Sequence, residues 1–153
     1  QRSSKNLWDR AVQVYLTSNN GVPDGDFTAV RWTALEWETS GQDLWSVGDG
    51  SEFHAPVSGF YDLTATVEWQ NASGDVRILA YRLNDNGDNY NITMVEDTNG
   101  GAGAYQTLTD VIQMTTVDFI EVVVFQNVGD CMYVGGGNNH HSRCNFRLLG
   151  GAT

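Results

Sequence analysis

The sequence predicts an all-β domain, an antiparallel β-sandwich of about eight to ten short strands. Three observations carry that prediction. No segment repeats apolar residues at helical spacing over about three turns. Glycine, asparagine and aspartate interrupt every apolar stretch within about a dozen residues. The stretch FYDLTATVEW sets Tyr61, Leu63, Ala65, Val67 and Trp69 on one side, with Asp62, Thr64, Thr66, Glu68 and Gln70 on the other. A strand with one wet face belongs to a sheet that buries its other face against a second layer.

Taken in order, strand patterns occur at 11–17 (AVQVYLT), 26–37 (DFTAVRWTALEW), 60–69, 75–83 (DVRILAYRL), 105–114 (YQTLTDVIQM), 118–126 and 143–150 (RCNFRLLG). Shorter candidates lie at Leu44–Val47, Glu52–His54 and Tyr90–Val95. Within 26–37, Trp32 and Trp37 have opposite phase, so only one of them points inward; Trp69 is in phase with the apolar side of its strand. Trp45, among the polar and flexible residues of QDLWSVGDG, is the expected exposed or interfacial aromatic. The strand at 118–126 breaks the alternation: Phe119, Val123 and Phe125 fall on one side, Ile120, Val122 and Val124 on the other, and both sides are apolar. One side faces the sandwich core; a loop, a further strand or a neighbouring subunit must cover the other.

A length of 153 residues fits one domain large enough to bury a core without a metal or a disulfide framework. Residues 11–150 are that domain, 1–10 a polar linker or end of a stalk, and 151–153 a short tail; the start, QRSSKNLWDR, suggests a processed product or a fragment. A formal charge of -11, with Lys5 the only lysine, repels phosphate and so disfavours nucleic acid and anionic lipid as partners. No apolar run approaches the roughly 20 residues of a membrane-spanning helix, so no membrane insertion is expected.

No enzyme constellation stands out: no serine in a nucleophile elbow, no metal triad, and acidic residues spread over turns and wet strand faces. No cofactor is expected beyond a divalent ion. For that ion the candidates are Asp85 and Asp88 in NDNGDNYN, which lacks the spacing and distal glutamate of an EF-hand, and His140 and His141 in GGGNNHHSR. Plain turns and solvated loop histidines are the simpler readings. Cys131 and Cys144 flank a glycine-rich stretch that lets its arms fold back as a hairpin; they are either a disulfide or two small buried hydrophobes. Joined, they would contribute about 3 kcal/mol on the loop-entropy model.

The order of landmarks resembles the jelly-roll superfamily of the complement globular head and tumour necrosis factor, in its bacterial and bacteriophage branch of tail-fibre, minor-tail and spike heads. VQVYLTSN and DFTAVRWTALEWETSG open the pattern, and VDFIEVVVFQNVGD and CNFRLLG close it. Its most specific piece is Ser51–Tyr61 (SEFHAPVSGFY), a short strand, a Pro and Gly turn, and an aromatic pair opening a long strand. The resemblance covers roughly residues 11–150 and implies a homotrimer about a threefold axis with both termini at the base. On that reading Phe119, Ile120, Val122, Val124 and Phe125 line the subunit interface. It also implies a head domain on a virion or otherwise extracellular filament, joined to its other proteins through the N-terminus. Attachment to a host-surface glycan or protein would use the loops at 84–91, 97–104 and 135–142, with Asn138, Asn139, His140 and His141 foremost, then Asp85, Asp88 and Trp45. The rival expectations are a decoration domain that fixes a trimer without touching a host, and a carbohydrate-binding module.

Overall fold

A computed structural model describes residues 10–39, 44–48, 50–70, 76–85, 87, 89–97, 104–135 and 141–151. These residues form twelve strands: β1 (Ala11–Tyr15), β2 (Asn20–Val22), β3 (Thr28–Ala29), β4 (Ala34–Glu38), β5 (Glu52–His54), β6 (Gly59–Trp69), β7 (Arg77–Leu83), β8 (Met94–Asp97), β9 (Ala104–Met114), β10 (Phe119–Gln126), β11 (Met132–Val134) and β12 (Arg143–Gly151). All pair antiparallel, in two sheets. The larger runs β9-β6-β12-β1-β4 with β11 and β2 at one end; the smaller joins β3 and β5 to β10, then β7 and β8. The fold is the predicted jelly-roll sandwich.

The alternation of 60–69 is realised residue by residue: Tyr61, Leu63, Ala65, Val67 and Trp69 are fully buried between the sheets. Val12, Val14, Phe146 and Leu148 meet them from the same sheet, and Leu79, Tyr81, Ile120, Val122 and Val124 from the opposite one. Burying such side chains contributes about 1.5–3 kcal/mol each. Tyr81 links the layers by a hydroxyl that donates to the carbonyls of Leu63 and Leu108 and accepts from the Ala65 N–H. At one end of the core the Trp69 indole donates to Gln106, whose amide donates to the Arg77 carbonyl in the other sheet, so buried polar atoms are paired across the sandwich.

The predicted strand at 26–37 is two strands in different sheets. β3 pairs with β10, β4 pairs with β1, and Trp32 is buried where the chain crosses between layers while Trp37 is exposed. Leu44–Val47 is not a strand. The His54 N–H donates to the Leu44 carbonyl and the Trp45 indole to the Gly50 carbonyl at 2.8 Å, which folds Trp45 inward to 7% exposure. The expectation of an exposed Trp45 is therefore corrected: a polar neighbourhood in sequence does not stop an indole that finds an acceptor beneath it.

The interface expected on β10 is corrected for its three inward residues. Ile120, Val122 and Val124 are completely buried and face the core between the sheets, where no neighbouring subunit reaches them. Phe119 and Phe125 lie half-buried on the outward side. That side is covered by the chain itself: Phe27, Ala29, Val76, Met94 and Phe125 pack over Ile78, Ala80 and Val123, with Phe27 4.9 Å from Phe125 and 5.5 Å from Tyr90, centroid to centroid.

Cys131 and Cys144 are not bonded to each other; the first is exposed and the second buried. They do not face each other because the segment holding them is not a hairpin. β11 and β12 both pair antiparallel with the same edge of β6, Val134 opposite Trp69 and Arg143 opposite Thr66, so they run in line. Cys144 falls on the inward phase of β12, and burial pushes its thiol well above the usual range.

Candidate functional site

The register fixes two poles. At one, Gly59 pairs with both Gly151 and Met114, Arg10 accepts from the Leu148 N–H, and the β9–β10 turn closes at Thr115–Asp118. The first and last described residues lie at this pole, the base. At the other, the apex, β6 ends at Trp69, β9 begins at Ala104, β7 begins at Arg77 beside Asp97, and β12 begins near Thr66. The strands bracketing 71–75, 98–103 and 136–140 all end at the apex.

This divides the three predicted loops. The described residues flanking 98–103 and 136–140 lie at the apex, but the segment at 84–91 leaves β7 at Leu83, opposite Ile120 at the start of β10, at the base. Asn84, at φ 65°, donates to Asp118 and accepts from the Phe119 N–H, and Asp85 forms an ion pair with Arg82 at 3.4 Å. Asp85 is therefore corrected from an apical ligand to part of a basal turn. The Asp118 carboxyl is held below its ordinary range, chiefly by the Thr115 N–H. Asn138, Asn139, His140 and Asp88 lie outside the described residues. Among the described residues, no group of three or more histidines, cysteines or acidic side chains is placed to hold a metal ion.

At the apical rim the organising residue is Glu68, on the wet side of β6. Its backbone holds the residue after β11 and the residue before β12: its carbonyl accepts from the Gly135 N–H at 2.6 Å, and its N–H donates to Ser142 Oγ at 3.0 Å. A Cβ at Gly135 would displace the Gln70 amide, the far end of a flexible side chain. The Glu68 carboxylate accepts from Gln70 at 2.7 Å and lies 3.1 Å from His141 Nδ1. Tyr105, directly across on β9, donates its hydroxyl to the same carboxylate, and its ring lies edge-on to His141 with centroids 5.8 Å apart. These donors, Tyr105 foremost, hold the Glu68 carboxyl below its ordinary range. His141, 39% exposed, is thus oriented at the rim. Sequence reasoning singled out His141 but missed Glu68 and Tyr105; their outward phase was visible, their pairing across β6 and β9 was not.

Below the rim, no described residue folds over the outward face of the larger sheet. Rows across it read Trp37, Gln13, Asn145, Thr64, Thr109; then Tyr15, Arg143, Thr66, Thr107; then Ala11, Arg147, Asp62, Val111. The threonine hydroxyls pair across β6 and β9 at 3.2 and 3.0 Å, and Arg147 meets Asp62 at 3.2 Å. A cleft of about 180 Å³ opens among Trp37, Asp62, Thr64, Asn145 and Arg147.

Known proteins share this architecture. The globular domain of zebrafish complement 1qA superposes with a TM-score of 0.63 at 12% identity, over 94% of this chain and 99% of that one. Murine APRIL gives 0.67 at 15% identity, over 92% and 98%. Eiger TNF from S. frugiperda gives 0.66 at 12%, over 94% of each chain. No family model and no curated protein sequence matches the chain. At these identities the likeness establishes the jelly-roll fold that these proteins share and nothing finer.

Proposed function

We propose that this chain is the binding head of a homotrimeric, surface-exposed assembly, held at its base and attaching to its ligand through the apex. The observation that carries this reading is the polarity of the sandwich. The described chain ends meet at one pole, while Glu68, Tyr105 and His141 and the strands entering 71–75, 98–103 and 136–140 meet at the other. A rigid sandwich holds the ends of such connections fixed, so their sequences can vary without cost to the fold. The superposition on complement and tumour-necrosis-factor heads supports a ligand-like role over catalysis.

The finer setting is the outside of a phage virion, as a tail-fibre tip, minor tail protein or capsid spike, with a host-surface glycan or protein as ligand. The resemblance of Ser51–Tyr61 and the acidic surface support this extracellular reading. Other virion or filament proteins would join at the base. Three heads on one rigid body gain by effective concentration, so each site can be weak.

The test replaces 98–103 and 136–140 with glycine–serine segments of equal length and measures adsorption to host cells, alongside the native mass. Loss of adsorption with an unchanged mass is expected. Retained adsorption would reject the apical attachment role in favour of a decorating trimer.

A further inference from the structure

Two exposed tyrosines flank the polar cluster at Glu68. Tyr105 on β9 stands directly across from Glu68 and is 51% exposed. Tyr133 on β11 accepts from the Gln70 N–H through its carbonyl at 2.9 Å and is 41% exposed. Its neighbour Val134 is buried opposite Trp69, so alternation along β11 turns Tyr133 to the same outward side as Glu68 and Gln70. β9 and β11 pair with opposite edges of β6. At strand spacings of about 4.8 Å and a rise of about 3.4 Å per residue, the two tyrosines stand roughly 12 Å apart. Gly135 beside Glu68 and Gly21 beside Tyr133 raise no side chain over the cluster.

The polar atoms between the two rings are held in place from within the chain. Glu68 accepts from Gln70 and Tyr105 and meets His141 Nδ1, so its carboxylate needs no cation and offers its remaining lone pairs in fixed directions. With Nδ1 turned to Glu68, the other ring nitrogen of His141 is left for a ligand. Two aromatic rings on either side of an anchored carboxylate and amide suit a sugar. The polarised C–H face of a pyranose packs on the negative face of an aromatic ring, and its hydroxyls both donate and accept. A sulfated or carboxylated sugar would meet the Glu68 charge and the chain's formal charge of -11. A protein partner would favour a contiguous centre depleted of charge, which the carboxylate between the rings interrupts.

We propose that the apical ligand is an uncharged glycan, with one sugar ring on Tyr105, the next on Tyr133, and the hydroxyls between them read by Glu68, Gln70 and His141. The inference rests on the apical attachment reading above and names the chemical class of its ligand. Tyr105 and Tyr133 are the contact residues. Glu68 contributes an acceptor and fixes the orientation of Tyr105, Gln70 and His141 around it.

The experiment presents the full chain to immobilised neutral disaccharides of glucose, galactose and N-acetylglucosamine and to their sulfated counterparts, with adsorption to host cells measured in parallel. Wild type should bind a neutral disaccharide and hold its sulfated counterpart about tenfold more weakly. Tyr105→Ala and Tyr133→Ala should each weaken that binding about tenfold, Tyr105→Phe, which keeps the ring, by less than about threefold, and Tyr90→Ala on the smaller sheet not at all. Undiminished binding by both alanine variants, or tighter binding of the sulfated sugar, would overturn the proposal. A wild type that adsorbs to cells yet binds no neutral disaccharide overturns the glycan and leaves the apical reading standing; one that binds neither overturns both. Hydroxyl-radical footprinting of wild type with and without the disaccharide needs no variant: Tyr105 and Tyr133 should lose labelling severalfold relative to Tyr90. Unchanged labelling would sink the proposal even if the alanine variants fail to fold.

Discussion

The two sheets present outward faces with opposite fates. On the smaller sheet Val123 points away from the sandwich yet has no exposure, because Phe27 and Phe125 lie over it. On the larger sheet Val111 also points away and is half exposed. Outward phase alone therefore does not mean wet; what matters is whether a distant part of the same chain folds across. The first face is finished within one chain; among the described residues the second leaves apolar area exposed and the Oδ1 acceptors of Asp62 and Asn145 unmatched.

The largest expected effect breaks the finished face. Val123→Asp buries an unpaired charge and should cost about 3–5 kcal/mol, a large part of an ordinary domain's stability. Val111→Lys, at the matching position of the open face and directly across from Asp62, should change the stability of the folded subunit by within about 0.5 kcal/mol. Denaturant melts of both, taken under conditions where the subunits are dissociated, check the contrast; similar losses would show that the open face is closed after all.

Next in size is the link between the sheets. Tyr81→Phe leaves the buried Ala65 N–H and two carbonyls without their hydroxyl partner and should cost about 1–3 kcal/mol, read from the same melts. An unchanged midpoint would mean that the sheets are held by apolar packing alone.

The smallest effect sharpens the apical rim. The folded Glu68 carboxyl is held below its ordinary range, so its contribution is present at neutral pH and lost as pH falls through the lowered value. Glu68→Gln should therefore cost under about 1 kcal/mol at neutral pH, this rim being partly exposed, and should flatten the acid limb of a stability–pH curve. Curves of the same slope for both proteins would remove Glu68 from its organising role.

Local pattern sufficed where one strand's own alternation decided the outcome. The inward set from Tyr61 to Trp69 follows from side chains alternating across a pleated strand, and the opposite phases of Trp32 and Trp37 likewise put one in the core and the other on the surface. It did not suffice where a partner distant in sequence chose. Trp45 looked exposed until the Gly50 carbonyl was found beneath it. Cys131 and Cys144 looked like facing arms until β11 and β12 proved to lie in line along β6. Glu68 looked like one more solvated acid until β9 brought Tyr105 opposite it and His141 came within 3.1 Å of its carboxylate.

By itself, then, the sequence determined the layered all-β architecture, the inward residues of the long central strand and the repulsion of phosphate, because these follow from periodicity and net charge. Only the tertiary structure decided which outward face stays open and which loops share a pole with the chain ends. Those depend on strand direction and on contacts between residues far apart in the chain, for which a two-residue period carries no record.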